Sequence, residues 1–321
     1  MNQNASNLKV DDTLNPTTLG RIRHWTSVRP QQLALLHKRR GRWVAWSWAE
    51  VEIDVARLAS VLRHQGFDSR STLAVSGPFE PTLIMLALAA YQLGGEVVTI
   101  SRLANAEQLN QVIDQAQPTH AYVHGRDGMA RWIKAAASGR HELLLISNQA
   151  AARQVNHWHL VPLESGFPAQ QVAAPRRVAA TARRSAGTLW SEEGTESSLT
   201  LPHLLNYWLE KGETFAFPET IGSAARDRRD VAPSSLLLSE DRLRALADEI
   251  ENRLAAPGSL PHRIWEWTLA DHSRGIRRHI RAKVRRLFGL QRLQNLMAGA
   301  ESPRSIPAVA ALLGTGLEKT A

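Results

Sequence analysis

His157 and His159 flank Trp158 and would lie on the same side of an extended chain, a spacing at which two imidazoles can share a metal ion. A stable site needs further ligands at matched spacing. No neighbouring pattern supplies them, so the segment reads as ordinary strand or loop. Ser191, His203 and Asp230 are the residue types of a nucleophile, a base and an acid, but Ser191 lacks the glycine-flanked turn that would expose it, and no hydrolase is read from them. Trp43, Trp46 and Trp48 crowd one segment and read as hairpin packing rather than base stacking.

The strongest charge signal lies between His262 and Arg292. Nine Lys or Arg residues there (Arg263, Arg274, Arg277, Arg278, Arg281, Lys283, Arg285, Arg286 and Arg292) face only Glu266 and Asp271, which leaves +7 of the chain's net +9 in this segment. Ile276, Ile280, Val284 and Leu287 recur at helical spacing and leave Arg277, Arg278, Arg281, Lys283 and Arg285 on other faces. Such a helix can meet anionic lipid or nucleic acid. One helix is a thin footprint for nucleic acid, so the segment reads as a core-packed helix with a solvated basic side, able at most to make weak membrane-surface contact.

These groups need a scaffold. At 321 residues, with 43% hydrophobic and 21% charged residues, the chain suits one large domain or two packed subdomains with a real core. The absence of cysteine excludes disulfides, thiolate metal sites and cysteine nucleophiles. The most apolar run, Leu83 to Leu93, is too short to span a membrane, and the polar segment Met1 to Pro16 is unlike a signal peptide. A cytoplasmic location is the expectation.

Hydrophobic periodicity supplies the elements. A helix begins near Leu19, and Leu33–His37 and Trp43–Trp46 form a hairpin about Arg39-Arg40-Gly41. Ser47 and Glu50 form a capping box for a helix whose apolar face is Val51, Val55, Leu58, Ala59 and Leu62. Strands at 73–75, 97–100, 120–123 and 143–146 alternate with helices at 81–93, 106–115 and 129–137, which implies parallel β-α units. From Gln149 to Ser198 the pattern breaks down, apart from a short strand at 160–163. Alternation then returns: helices at 201–209, 222–228, 241–254, 277–287 and 306–313, and strands at 214–217, 235–238 and 293–297.

In this order, several segments resemble the N-terminal part of the AMP-forming acyl-CoA synthetases, the long-chain fatty acid–CoA ligases among them. They are Arg29-Pro30 with Ala34-Leu35, Gly41-Arg42-Trp43, Ser47-Trp48-Ala49-Glu50-Val51 and Leu93-Gly94-Gly95-Glu96-Val97-Val98, then Gly212 to Pro218, Arg229 to Ser234, and Gly289 to Ala300. The resemblance implies an α/β fold of two stacked, mainly parallel sheets with flanking helices, without the family's C-terminal domain. It divides the chain into a leader (1–17), a first subdomain (18–175), an irregular linker with the phosphate loop (176–200) and a shortened second subdomain (201–321). The family activity would be ATP-dependent ligation of a carboxylate to CoA, with ATP or AMP and Mg as ligands.

Family members hold the ATP phosphates with a Ser/Thr/Gly-rich loop ending in a lysine. Here the corresponding stretch is Ser191 to Ser198, followed by His203. The resemblance assigns a vestigial nucleotide site to Gly194, Thr195, Ser197 and Ser198, with Gly299 and Ala300 beside the adenine. The lysine is missing, since none lies between Lys134 and Lys211, and Glu192, Glu193 and Glu196 stand in the loop. A carboxylate 4 Å from a phosphate repels it by roughly 1 kcal/mol in water and about 4 kcal/mol at an effective dielectric of 20. As an ordinary feature the run is an acidic surface loop. Only eight residues separate His203 from Gly212, where the family carries a helix, a strand and a helix, so the second sheet should narrow the substrate region or leave an edge needing cover. Gly314-Thr315-Gly316-Leu317-Glu318 only echoes the family's Tyr-Gly-x-Thr-Glu, and its ribose aspartate, hinge and catalytic lysine find no counterpart.

The expectation is a degenerate synthetase-like protein, unable to adenylate a fatty acid alone, with no catalytic or metal residue assigned. It would act as a binding or partner protein for an acyl or nucleotide ligand, or for a full-length or C-terminal synthetase-type protein. The alternatives are a split ligase completed by another subunit, and a peripheral membrane or nucleic-acid binder working through the basic helix 274–292.

Overall fold

One glycine-dependent turn and a capping box fix the first elements of the chain. The computed structural model describes residues 14, 16–136, 141–148, 153–162, 187–197, 200–253 and 275–298. Helix α1 (Pro16–Val28) leads into the antiparallel hairpin β1 (Leu33–Arg39) and β2 (Arg42–Ser47). At its tip Arg40 and Gly41 both have positive φ, 48° and 72°, as a two-residue hairpin turn requires. Ser47 then caps α2 (Trp48–His64): Glu50 N donates to the Ser47 hydroxyl at 3.3 Å and Ser47 N donates to the Glu50 carboxylate at 2.7 Å. All five apolar residues expected to face inward from α2 are buried.

The first sheet follows from the alternation. Strands β3 (Thr72–Ser76), β4 (Glu96–Thr99), β5 (His120–Val123) and β6 (Leu143–Ser147) are parallel and are linked by α3 (Pro81–Gln92), α4 (Ala106–Ala116) and α5 (Arg126–Ala136). The hairpin β7 (Arg153–Val155) and β8 (Trp158–Pro162) completes the order β4-β3-β5-β6-β8-β7. Trp158 is buried and His159 exposed on β8, and His157 is exposed in the turn before it, in keeping with ordinary strand and loop at the histidine pair.

The second sheet contains β9 (Thr188–Trp190), β10 (Thr214–Phe217), β11 (Ser235–Leu238) and β12 (Asn295–Ala298). Its helices are α6 (Leu201–Lys211), α7 (Ala224–Val231), α8 (Glu240–Arg253) and α9 (Gly275–Leu287). The order is β12-β11-β9-β10-β1-β2, parallel except at β2. The N-terminal hairpin therefore joins the later sheet. The irregular stretch expected at 149–198 contains β7 and β9, three-residue strands too short to register a period among Pro, Ala, Gly and Ser. Among the described residues β9 pairs on both sides, and the edges of the sheet are β12 and β2. The helix expected at 306–313 and the leader up to residue 13 lie outside the described residues.

Helix α3 joins the sheets. Its sequence is apolar on every side, and Leu83 through Ala90 are buried throughout, as a helix enclosed in protein must be. It packs on β3 and β4 of the first sheet and on β1 of the second. The same core includes Trp48 stacked on Trp208, with ring centroids 5.1 Å apart.

The turn after α3 is tight because Gly95 presses on Phe67: a Cβ there would stand 2.4 Å from the Phe67 ring and 2.8 Å from the Ser71 carbonyl oxygen. Gly95→Ala should therefore destabilise the fold by about 1–3 kcal/mol in urea unfolding. Wild-type stability in that variant would contradict the packing described.

Candidate functional site

Strand β9 is buried between two parallel neighbours, so the loop leaving its C-terminal end enters the crevice where α/β sheets bind ligands. This is the stretch Ser191 to Ser197, and it is strapped to the first sheet. Thr195 N donates to the Gly77 carbonyl at 2.9 Å, Gly77 N donates to the Thr195 hydroxyl at 3.1 Å, and Phe79 N donates to the Glu193 carbonyl at 2.9 Å. A Cβ on Gly194 would stand 3.0 Å from the Gly77 carbonyl oxygen and 2.6 Å from the Glu196 carboxylate, so only glycine permits this approach.

Each of the three loop carboxylates has a partner. Glu192 accepts from Trp190 Nε1 at 2.8 Å and from Arg228 Nη1 at 2.6 Å. Arg228 is itself buried and also donates to Glu249 at 2.9 Å and to the Phe288 carbonyl at 3.0 Å. Glu193 is buried and accepts from Ser239 N, just before α8, at 2.5 Å. Burial pushes its carboxyl above the usual range, while hydrogen bonds from Ser197 and Ser239 and the charge of Arg242 act against that shift. Glu196 lies between Arg102 at 2.7 Å and Arg242 at 3.4 Å.

The acidic surface loop expected from the sequence is thus a largely buried strap. The glutamates were legible, but the arginines that reach them come from distant positions with no local spacing to announce them. Gly194, Thr195 and Ser197 sit together in this loop. Ser198, Gly299 and Ala300 lie outside the described residues. Ser191, His203 and Asp230 have separate roles: Ser191 accepts from Glu193 N, His203 is exposed on α6, and Asp230 accepts from Lys38 at 2.6 Å. Lys38 also donates to Asp227 at 2.8 Å.

Sequence reasoning missed a second cluster beside the strap. Glu80, at the N-cap of α3, is buried and accepts from His124 Nδ1 at 2.9 Å and from the Tyr122 hydroxyl at 3.3 Å. His37 Nε2 and Arg39, both from β1, each approach its carboxylate at 4.0 Å. The cluster therefore spans both sheets and abuts the strap, because a Cβ on Gly77 would stand 2.5 Å from His124 Cβ. Burial opposes ionisation of Glu80, but the hydrogen bond and charge of His124, with His37 and Arg39, hold it below the usual carboxylate range. Burial, then the charge of Glu80, pushes the Tyr122 hydroxyl well up. Burial is also the main cause that lowers His37 to about 4, with Arg39 and His124 adding to it and Glu80 and the Pro218 carbonyl opposing it. The available signal was polar residues inside apolar strands.

Because His37 is depressed, its contribution to stability is complete above the unfolded value near 6.5 and is lost as pH falls from there towards about 4. This group alone should cost about 1 kcal/mol between pH 7 and pH 5.5. His37→Gln should flatten that part of the curve in urea unfolding across pH. An unchanged slope would show that His37 is not buried neutral.

Among the described residues, no group of three or more His, Cys, Asp or Glu is placed to hold a metal, and no helix is long and apolar enough to cross a membrane. No curated protein matches the chain. Solved structures do match in fold. An adenylation–carrier didomain of carboxylic acid reductase from Segniliparus rugosus, in complex with AMP, has a TM-score of 0.64 at 14% identity over 98% of this chain and 53% of its own. The acyl-CoA synthetase of Brucella canis gives 0.63 at 12% identity, over 94% and 56% of the two chains. The coronafacic acid ligase of Pectobacterium brasiliense gives 0.56 at 11%, over 76% and 53%. The chain thus spans little more than half the length of these proteins. The family described as AMP-binding enzyme matches residues 22–184, half of the chain, in the region that builds the first sheet and the hairpin, and the chain belongs to that family.

Proposed function

We propose that this chain is a member of the AMP-binding enzyme family whose phosphate loop has become an internal strap. On this reading it does not adenylate a carboxylate by itself and works as a binding or partner protein. The observation that carries the proposal is the pairing of Glu192, Glu193 and Glu196 with Arg228, the Ser239 amide, and Arg102 with Arg242. A triphosphate in a crevice of this kind needs free N–H groups and cations. Here those donors are already taken by the chain's own carboxylates, and no lysine occurs between Lys134 and Lys211. The residues present therefore do not suit a triphosphate. Exclusion rests on occupied donors more than on bare repulsion, because paired carboxylates present little net charge.

Calorimetric titration with ATP should give no saturable binding, and no pyrophosphate should be released with any fatty acid. ATP-dependent pyrophosphate release by the purified chain would overturn the proposal. Glu196→Thr frees two charge-assisted donors and should raise affinity for ATP at least about tenfold above the wild-type limit, at about 1.5–3 kcal/mol per such bond. The same titration checks this outcome.

A further inference from the structure

The basic helix α9 plays no part in the strap. Val284 is buried and Ile280 half-buried against the second core, which turns His279, Lys283 and Arg286 outward. Arg229, exposed on α7, donates to the Leu287 carbonyl at 3.5 Å and so extends the same stripe past the end of α9. Spacings of three and four residues along a helix make His279, Lys283, Arg286 and Leu287 neighbours on one surface.

Two features separate this stripe from an ordinary solvated face. Many basic side chains elsewhere, Lys38, Arg57, Arg102, Arg226, Arg228, Arg242 and Arg244 among them, meet carboxylates, though exposed Arg21, Arg40, Arg42 and Arg63 do not. Lys283, Arg286 and Arg229 meet none among the described residues, and α9 contains no acidic residue. Asp230, next to Arg229 in sequence, is engaged by Lys38. In addition, Leu287 stands 55% exposed among these cations, one of few large apolar side chains so exposed among the described residues.

We infer that this stripe is a docking surface for an anionic lipid membrane. Uncompensated cations are attracted to acidic headgroups, and an apolar side chain set among them can enter the interface. A nucleic acid fits less well, because Leu287 offers it nothing and the stripe carries no Phe, Tyr or Trp ring for bases to stack on. The sequence of α9 adds Arg277, Arg278 and Arg281 to the charge of this helix.

The test is sedimentation of the full chain with vesicles. It should pellet with equimolar phosphatidylserine and phosphatidylcholine but not with phosphatidylcholine alone, and raised salt should release it. Arg229→Glu with Lys283→Glu and Arg286→Glu should lower binding at least about a hundredfold. The milder Lys283→Gln with Arg286→Gln, checked by an unchanged melting temperature, should lower it about tenfold or more. Leu287→Ala should weaken binding without changing its salt dependence. Failure to pellet with the acidic vesicles, equal pelleting with neutral ones, undiminished binding by the folded Gln variant, or tighter binding to duplex DNA than to acidic vesicles would each overturn the inference.

Discussion

Burying a carboxylate costs several kcal/mol unless cations or N–H groups take over from water. Between Ser191 and Ser197 the chain buries Glu193 and half-buries Glu192 and Glu196, and much of the second sheet is arranged around that cost. Arg228 is held in the interior on α7, Ser239 offers its amide at the start of α8, and Arg102 reaches across from the loop after β4. The loop can take this path only because Gly77 and Gly194 let two backbones meet. Electrostatics and steric fit thus depend on one another: the glycines bring the loop in, and the arginines make its charge tolerable.

The same junction carries the Glu80 cluster. Glu80 stands at the N-cap position of α3, the helix enclosed between the sheets, while His37 and Arg39 come from β1 and Tyr122 and His124 from the β5 side. An ionised carboxylate here is held by groups from both sheets, so a relative shift of the sheets would strand a buried charge. This makes the sheet-to-sheet contact a polar link as well as an apolar one, and one that acid should weaken.

Much of the fold was legible because local pattern and tertiary environment agree. Ser47 with Glu50, the buried stripe of α2, and the Gly94-Gly95 turn each carry their reason in adjacent residues. Strands β7 and β9 were not legible, since three residues cannot display a period, and the pairing partners of β9 are distant in the chain. Nor could the sequence show that β1, paired with β2 on one side, takes β10 as its neighbour on the other. At the site, Gly194 and Thr195 were identifiable through the family resemblance, while the fate of Glu192, Glu193 and Glu196 was not. A run of acids looks the same exposed or neutralised; only the placement of Arg102, Arg228 and Arg242 decides between the two. The pair Glu80 and His124 was hidden for the same reason.

Hydrogen exchange at the amides of Phe79, Thr195 and Ser239, followed with and without ATP, tests the strap most directly. If the loop is an internal structural element, these amides exchange slowly and ATP leaves their rates unchanged. Fast exchange in the free protein, with protection gained on adding ATP, would mean that the loop is a nucleotide-binding element awaiting its ligand, and would contradict the account.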